Sequence, residues 1–183
     1  MRRLLYWCVA TLLLAVVVHL FVVIFVPGVD TGQKLAQMEA AGEVNKLHQI
    51  AAKDTHQVLL TEPSPDLRYA FCKFDIRTRP LMIEGSVPPG YWSVSVYGET
   101  GSNVYTLNDR QAGVQKLQLM IVTEDEPFDD EARPENTIIV RVPTASGLVL
   151  FRALVSDRSQ EELVESHLAA SKCGLRPVQQ AAG

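Results

Sequence analysis

Aromatic, amide and guanidinium side chains concentrate between residues 91 and 110: Tyr91-Trp92-Ser93-Val94-Ser95-Val96-Tyr97, then Asn103-Val104-Tyr105, then Asn108-Asp109-Arg110. Rings that stack, amides that donate and accept, and a cation that clamps an anion could together line a pocket for a polar, partly planar or sugar-like ligand. Tyr97, Asn103, Tyr105, Asp109 and Arg110 are the candidate binding residues. The same residues also have a structural reading. In it Trp92 is core, the tyrosines lie on a half-exposed sheet face, and Asp109-Arg110 is a local ion pair in a turn.

Other reactive groups are sparse. No nucleophile elbow, Walker loop, H-E-x-x-H or glycine-rich dinucleotide fingerprint occurs, which points away from a familiar hydrolase, leaves catalytic residues unassigned and predicts no cofactor. His48 and His56 are eight residues apart, too far for one metal on one straight helix, and no two cysteines have ligand spacing, so no metal is expected. Glu124, Asp125, Glu126, Asp129, Asp130, Glu131 and Glu135 lack the calcium-loop pattern and read as a solvated loop shielding a strand edge.

These groups follow an apolar run. Residues 4–26 carry no formal charge, and sixteen of them are Leu, Ile, Val or Phe. As a helix they rise about 35 Å, enough for a bilayer core of roughly 30 Å. Arg2 and Arg3 before the run favour a cytoplasmic N-terminus. The run exceeds the apolar stretch of a signal peptide and has no small-residue cleavage site, so an uncleaved single-pass anchor is expected. Beyond it, 15 Lys and Arg stand against 21 Asp and Glu, a net charge of −6. That balance argues against nucleic acid or an anionic lipid surface as partner.

Of the three cysteines, Cys8 lies within the apolar run, while Cys72 and Cys173 follow it. Two exported thiols allow one disulfide. The alternative leaves Cys72 a small core residue and Cys173 a free thiol.

The remaining elements must position these groups. Residues 31–52 have helical spacing (Leu35, Met38, Ala41, Leu47, Ile50), and this helix is expected either to continue the membrane helix as a stalk after a break at Pro27-Gly28 or to lie across the domain it introduces. Pro63 and Pro65 end any helix, and runs with period-two alternation follow. Strands are expected at 69–75, 81–85, 91–97, 103–107, 116–123, 137–142 and 148–155. Tight turns at Pro88-Pro89-Gly90 and Glu99-Thr100-Gly101-Ser102 predict hairpins. A helix from about 160 to 172 is expected, capped by Asp157 or Ser159, with Gly174 just past it and Leu163, Val164, His167 and Leu168 on its packing side.

Phe71-Cys72-Lys73-Phe74-Asp75, Pro80-Leu81-Met82-Ile83, the stretch from Pro88 to Tyr97, Asn103-Val104-Tyr105 and Asp109-Arg110 resemble the DUF1254 family of bacterial proteins, in a short membrane-anchored form. The resemblance covers residues 60–155. It implies a β-rich fold and no mechanism, since the family has no established biochemical activity. In longer members a second β-rich domain, DUF1214, follows in the same chain. The resemblance therefore implies that this half is missing here and supplied by a separate anchored DUF1214-like protein.

The expected architecture is mainly β: one transmembrane helix, then a small antiparallel β-sandwich or barrel-like domain with flanking helices (α+β). Residues 1–3 are cytoplasmic, 4–26 span the bacterial inner membrane, 27–60 form a stalk helix, 61–175 the periplasmic domain, and 176–183 a flexible tail. The expected role is an envelope interaction or binding module. The competing one is an enzyme or enzyme subunit acting on a small or carbohydrate-like substrate at the Tyr97/Arg110 face.

Overall fold

The computed structural model describes residues 2–40, 42–50, 63–113, 116–125 and 134–177, with the backbone alone for residues 26–40. Helix α1 (Arg2–Ala40) comes first. Its Arg2–Phe25 part is long and apolar enough to cross a membrane, and none of its apolar window is buried against the rest of the chain. A helix apolar all round and outside a core is consistent with a membrane anchor. The expected break at Pro27-Gly28 is absent: α1 runs through both residues to Ala40. Proline forfeits one i to i−4 hydrogen bond, a local cost of about 3 kcal/mol, without ending this helix.

The helix expected as far as residue 52 is corrected beyond Ala40, because Leu47–Ile50 is strand β1. The i, i+3 spacing of Leu47 and Ile50 suits a helix, but it equally suits a strand apolar on both faces. Leu47 lies opposite Cys72 and Ile50 opposite Tyr69 on β2 (Leu67–Asp75). Both faces of β2 are buried, so an edge partner needs an apolar residue on each.

After β2 come β3 (Leu81–Ser86), β4 (Trp92–Gly98), β5 (Asn103–Asn108), the single-turn helix α2 (Asp109–Ala112), β6 (Lys116–Thr123), β7 (Ile138–Val142) and β8 (Ser146–Leu154). A 3-10 turn at Arg158–Gln160 leads into helix α3 (Glu161–Ala170), and β9 (Lys172–Leu175) follows. One sheet has the order β1-β2-β8-β4-β5, the other β7-β6-β3-β9. Among the described residues neither sheet closes on itself.

Two further expectations are corrected. Pro88-Pro89-Gly90 joins β3 to β4, but these strands belong to different sheets, so the turn is a crossover between layers and not a hairpin. The fold is also not wholly antiparallel, because β6 and β7 pair in parallel. Parallel neighbours need a connection of about a dozen residues or more, and the acidic stretch between Thr123 and Ile138 provides it. Glu124, Asp125 and Glu135 are exposed in that connection; Glu126, Asp129, Asp130 and Glu131 lie outside the described residues, as does His56. The β4–β5 hairpin forms as expected, with Gly101 at φ 78° in its loop.

The two sheets share one core. Ala70, Cys72 and Phe74 of β2, Val94 and Val96 of β4, and Val149 and Phe151 of β8 meet Leu81 and Ile83 of β3, Leu117, Leu119 and Ile121 of β6, and Val140 of β7. Alternation along each strand delivers this set to one face. Helix α3 packs against β2, β3 and β8 and adds Val164 and Leu168 to the core. Leu163, expected beside them, is 46% exposed. The Arg68 guanidinium of β2 pairs with Glu161 of α3, and Gln49 Nε2 donates to the Glu165 carbonyl at 2.9 Å.

Gly174 does not cap α3. It lies within β9, and Ser171 ends the helix in extended conformation. Strand β9 pairs with β3, which brings Cys173 to Cys72, and the two form a disulfide with Cα atoms 6.4 Å apart. The bond joins the two sheets over a sequence separation of 101 residues.

Candidate functional site

Tyr97 and Asn103 are cross-strand partners at the β4–β5 hairpin, but Tyr105 lies opposite Val96, a core residue. Opposed residues share a face, so Asn103 projects outward with Tyr97 while Tyr105 packs against the core. The cause is a register shift between Val96 and Tyr97. Two steps along β5, past Val104, correspond to one along β4, and such a bulge reverses facing. Burial pushes the Tyr105 phenol above its ordinary value. Asp109 opens α2 with Oδ1 buried and unpartnered, while Arg110 is exposed and its amide donates to Asn108 Oδ1 at 3.1 Å. The five candidates are thus divided: Tyr97 and Asn103 adjoin, Tyr105 turns inward, and Asp109 and Arg110 sit on the following turn.

Asn103 belongs to a polar line that its neighbours in sequence do not reveal. Asn103 Nδ2 donates to Thr106 Oγ1 at 2.9 Å, Thr106 Oγ1 donates to Ser95 Oγ at 3.1 Å, and Arg152 Nη2 donates to Ser95 Oγ at 2.9 Å. Arg152 projects from β8, opposite Ser93 of β4 and Tyr69 of β2. One signal for it was present in the sequence: Arg152 is the only charge in the otherwise apolar run Leu148–Val149–Leu150–Phe151–Arg152–Ala153–Leu154.

On the same outer face, towards β1, lie Ile50, Tyr69, Phe71, Leu148 and Leu150, all buried, with Tyr97 packed against them. The outer face of the five-stranded sheet is therefore apolar on one side and hydrogen-bonding on the other.

Two clefts lie elsewhere. One of about 430 Å³ is lined by Lys73, Asp75, Arg77, Glu99 and the Phe74–Gly147 floor. There the Arg77 guanidinium holds the Asp75 carboxyl below the usual carboxylate range, and Asp75 in turn raises Arg77. Another of about 570 Å³ is bordered by Asp66, Arg68, Asp157, Arg158 and Glu161. Hydrogen bonds from Ser159, its backbone amide first, lower Asp157.

Ser86 Oγ lies 2.8 Å from His167 Nδ1, and Ser171 Oγ accepts from the Ser86 amide and donates to the His167 carbonyl. This set secures the end of α3 to β3. His48, on β1, places its ring 5.4 Å from Phe71. Among the described residues no three His, Cys, Asp or Glu side chains are grouped to hold a metal.

A family model described as "Protein of unknown function (DUF1254)" matches residues 44–174. The chain belongs to the DUF1254 family. The match begins just before β1 and ends within β9, so the DUF1254 region includes both strands that close the sheet edges. No curated protein matches the chain.

Among solved structures, the VPA0106 protein from Vibrio parahaemolyticus is similar at 14% identity and a TM-score of 0.63, covering 86% of this chain and 40% of that one. A putative uncharacterized protein from Burkholderia cenocepacia is similar at 13% identity and a TM-score of 0.50, over 73% of this chain and 35% of that one. At such identities the likeness is one of fold. The DUF1254 chain spans well under half the length of either protein.

Proposed function

We propose that this DUF1254 domain is an envelope interaction or binding module, held to the bacterial inner membrane by α1 with its N-terminus in the cytoplasm and its two-sheet domain in the periplasm. Three features support that placement. Arg2 and Arg3 precede the apolar segment, the Arg2–Phe25 part is long enough to span, and the Cys72–Cys173 disulfide suits an oxidising compartment. Fusing a reporter active only outside the cytoplasm after Ala40 tests it. Activity is expected there, and a reporter active only in the cytoplasmic form would reverse the topology.

The partner we propose is a separate, anchored DUF1214-like protein. One observation carries this: in the VPA0106 protein the matching fold occupies 40% of the chain, so the same architecture is built there beside further polypeptide. A counterpart anchored in the same membrane would reach this domain at high effective concentration. Crosslinking in intact membranes followed by mass identification should recover such a protein. Recovery of the domain alone, at crosslinker doses that capture known envelope complexes, would oppose the pairing.

A second reading is a small or carbohydrate-like ligand, or a substrate, at the face of Tyr97 and Arg110. The adjacency of Tyr97 and Asn103 favours it. Asp109 and Arg110 would contribute from the turn that follows, while Tyr105, facing the core, lies outside the site. Ligand-induced shifts in the Tyr97 and Asn103 NMR resonances would support this reading, and their absence across a panel of neutral and acidic sugars would oppose it.

A further inference from the structure

His19 stands in the apolar part of α1 without a partner. The run 4–26 is centred on Ala15, so His19 lies about 6 Å along the axis from its middle, well inside a hydrocarbon core of roughly 30 Å. Its side chain is exposed, and the ring hydrogen bonds of the described residues belong to His48 and His167. Thr11 differs, because its Oγ1 donates to the Trp7 carbonyl at 2.6 Å and so is satisfied within the helix. The imidazole has too short a stem to reach the headgroups, and an unmet hydrogen-bonding group is costly in hydrocarbon.

At about 100° per residue, Cys8, Thr11, Ala15 and His19 fall within about 80° of arc on one face of the helix. Val22 falls inside the same arc and Ala10 outside it, while the far side carries Tyr6, Leu13, Val17 and Ile24. Small residues let two helix backbones approach closely, and a polar group among them can then bond across. None of the apolar window of α1 is buried against the rest of the chain, so this face has no occupant among the described residues.

We propose that this face pairs two copies of the chain in the membrane, as parallel helices with His19 opposite His19. A partner group for His19 must lie at its depth, and a copy inserted in the same orientation meets that condition by identity. A neutral imidazole carries one donor and one acceptor nitrogen, so two rings complement each other with no third group. About a two-fold axis the face is its own counterpart. The pairing rests on α1 crossing the membrane, as proposed above, and is additional to the DUF1214-like partner.

Cys8 supplies a probe on the same face, since Cys72 and Cys173 are bridged to each other and Cys8 is free. Membranes carrying the full chain are oxidised with copper-phenanthroline and resolved on a non-reducing gel. A band of twice the chain mass is expected, with mass identification finding this chain alone. His19→Leu should cut its yield about three- to tenfold at matched expression, while His19→Gln, which keeps a donor and an acceptor, should retain most of it. In a Cys8→Ala background, Tyr6→Cys places a thiol at a similar depth on the far side and should give little dimer.

A dimer yield indifferent to His19→Leu, an equal yield from the Tyr6→Cys chain, or a crosslink to another protein in place of the dimer would overturn the pairing. Carbonate extraction of the same membranes separates this from the anchor itself. A chain that stays in the membrane yet gives no dimer refutes the pairing alone, whereas release into the supernatant refutes the membrane-spanning reading on which it stands.

Discussion

Gly147 of β8 lies against the backbone of Tyr97 on β4, so close that a β-carbon at Gly147 would meet the Tyr97 carbonyl oxygen and fall 2.6 Å from Phe74 Cζ. Neither neighbour yields cheaply, since one is sheet backbone and the other a buried ring. Gly147→Ala is expected to destabilise the domain by about 3 kcal/mol, read as a lowered denaturation midpoint. A midpoint equal to wild type would mean that β4 and β8 stand farther apart than described.

The Cys72–Cys173 bond closes a loop of about a hundred residues. In the chain-entropy model such a loop contributes about 4.7 kcal/mol by restricting the unfolded chain. Replacing both cysteines by alanine should therefore lower unfolding free energy by about 3–5 kcal/mol. Mass mapping of protein taken directly from membranes under non-reducing conditions should find the crosslinked peptides.

Arg68 and Glu161 link β2 to α3, with the arginine side chain 12% exposed and the glutamate 39%. Water screens the glutamate, so Arg68→Ala should cost about 1–2 kcal/mol, including the packing of the arginine stem. The loss should be concentrated in α3. Hydrogen exchange ought to accelerate for Val164 and Leu168 before the amides of β4, and uniform acceleration would assign Arg68 a global role instead.

Asp75 gives a pH dependence of known sign. Hydrogen bonds from Arg77 lower its carboxyl in the folded protein, so the folded state binds that proton less readily than the unfolded chain does. Its stabilising contribution is present above the unfolded carboxylate value of about 3.9 and is lost as pH falls through the lower folded value. Asp75→Asn should therefore lower Tm at neutral pH and leave a smaller further loss below about pH 4 than wild type shows. Parallel Tm profiles down to acid pH would remove Asp75 from the acid response.

Period-two alternation was enough to place seven strands, because each has a face buried against a common core. Lys116–Thr123 is the clearest case, with Leu117, Leu119 and Ile121 all inward. The two four-residue strands were not legible. Leu47–Ile50 and Lys172–Leu175 are too short to display a period, and they exist because the open edges of β2 and β3 need backbone partners. At the candidate site, the spacing of Asn103 and Tyr105 suggests a shared face, and one bulge residue places them on opposite faces. Ser93 and Ser95 look like the solvated side of β4 in the sequence, yet both are buried beside Arg152, whose strand is distant in sequence and adjacent only through tertiary pairing.

The disulfide also imposes an order in time. In the periplasmic placement proposed above, Cys72 meets its partner only once Cys173 has been synthesised and exported, 101 residues later. At a synthesis rate of about 5–20 residues per second that interval is roughly 5–20 s. Through it β2 waits for β8, and β3 for β9. Cys72 is an accessible thiol for as long as the core that later buries it is incomplete, so in that placement thiol oxidants meet this chain with one sulfur before they meet it with two.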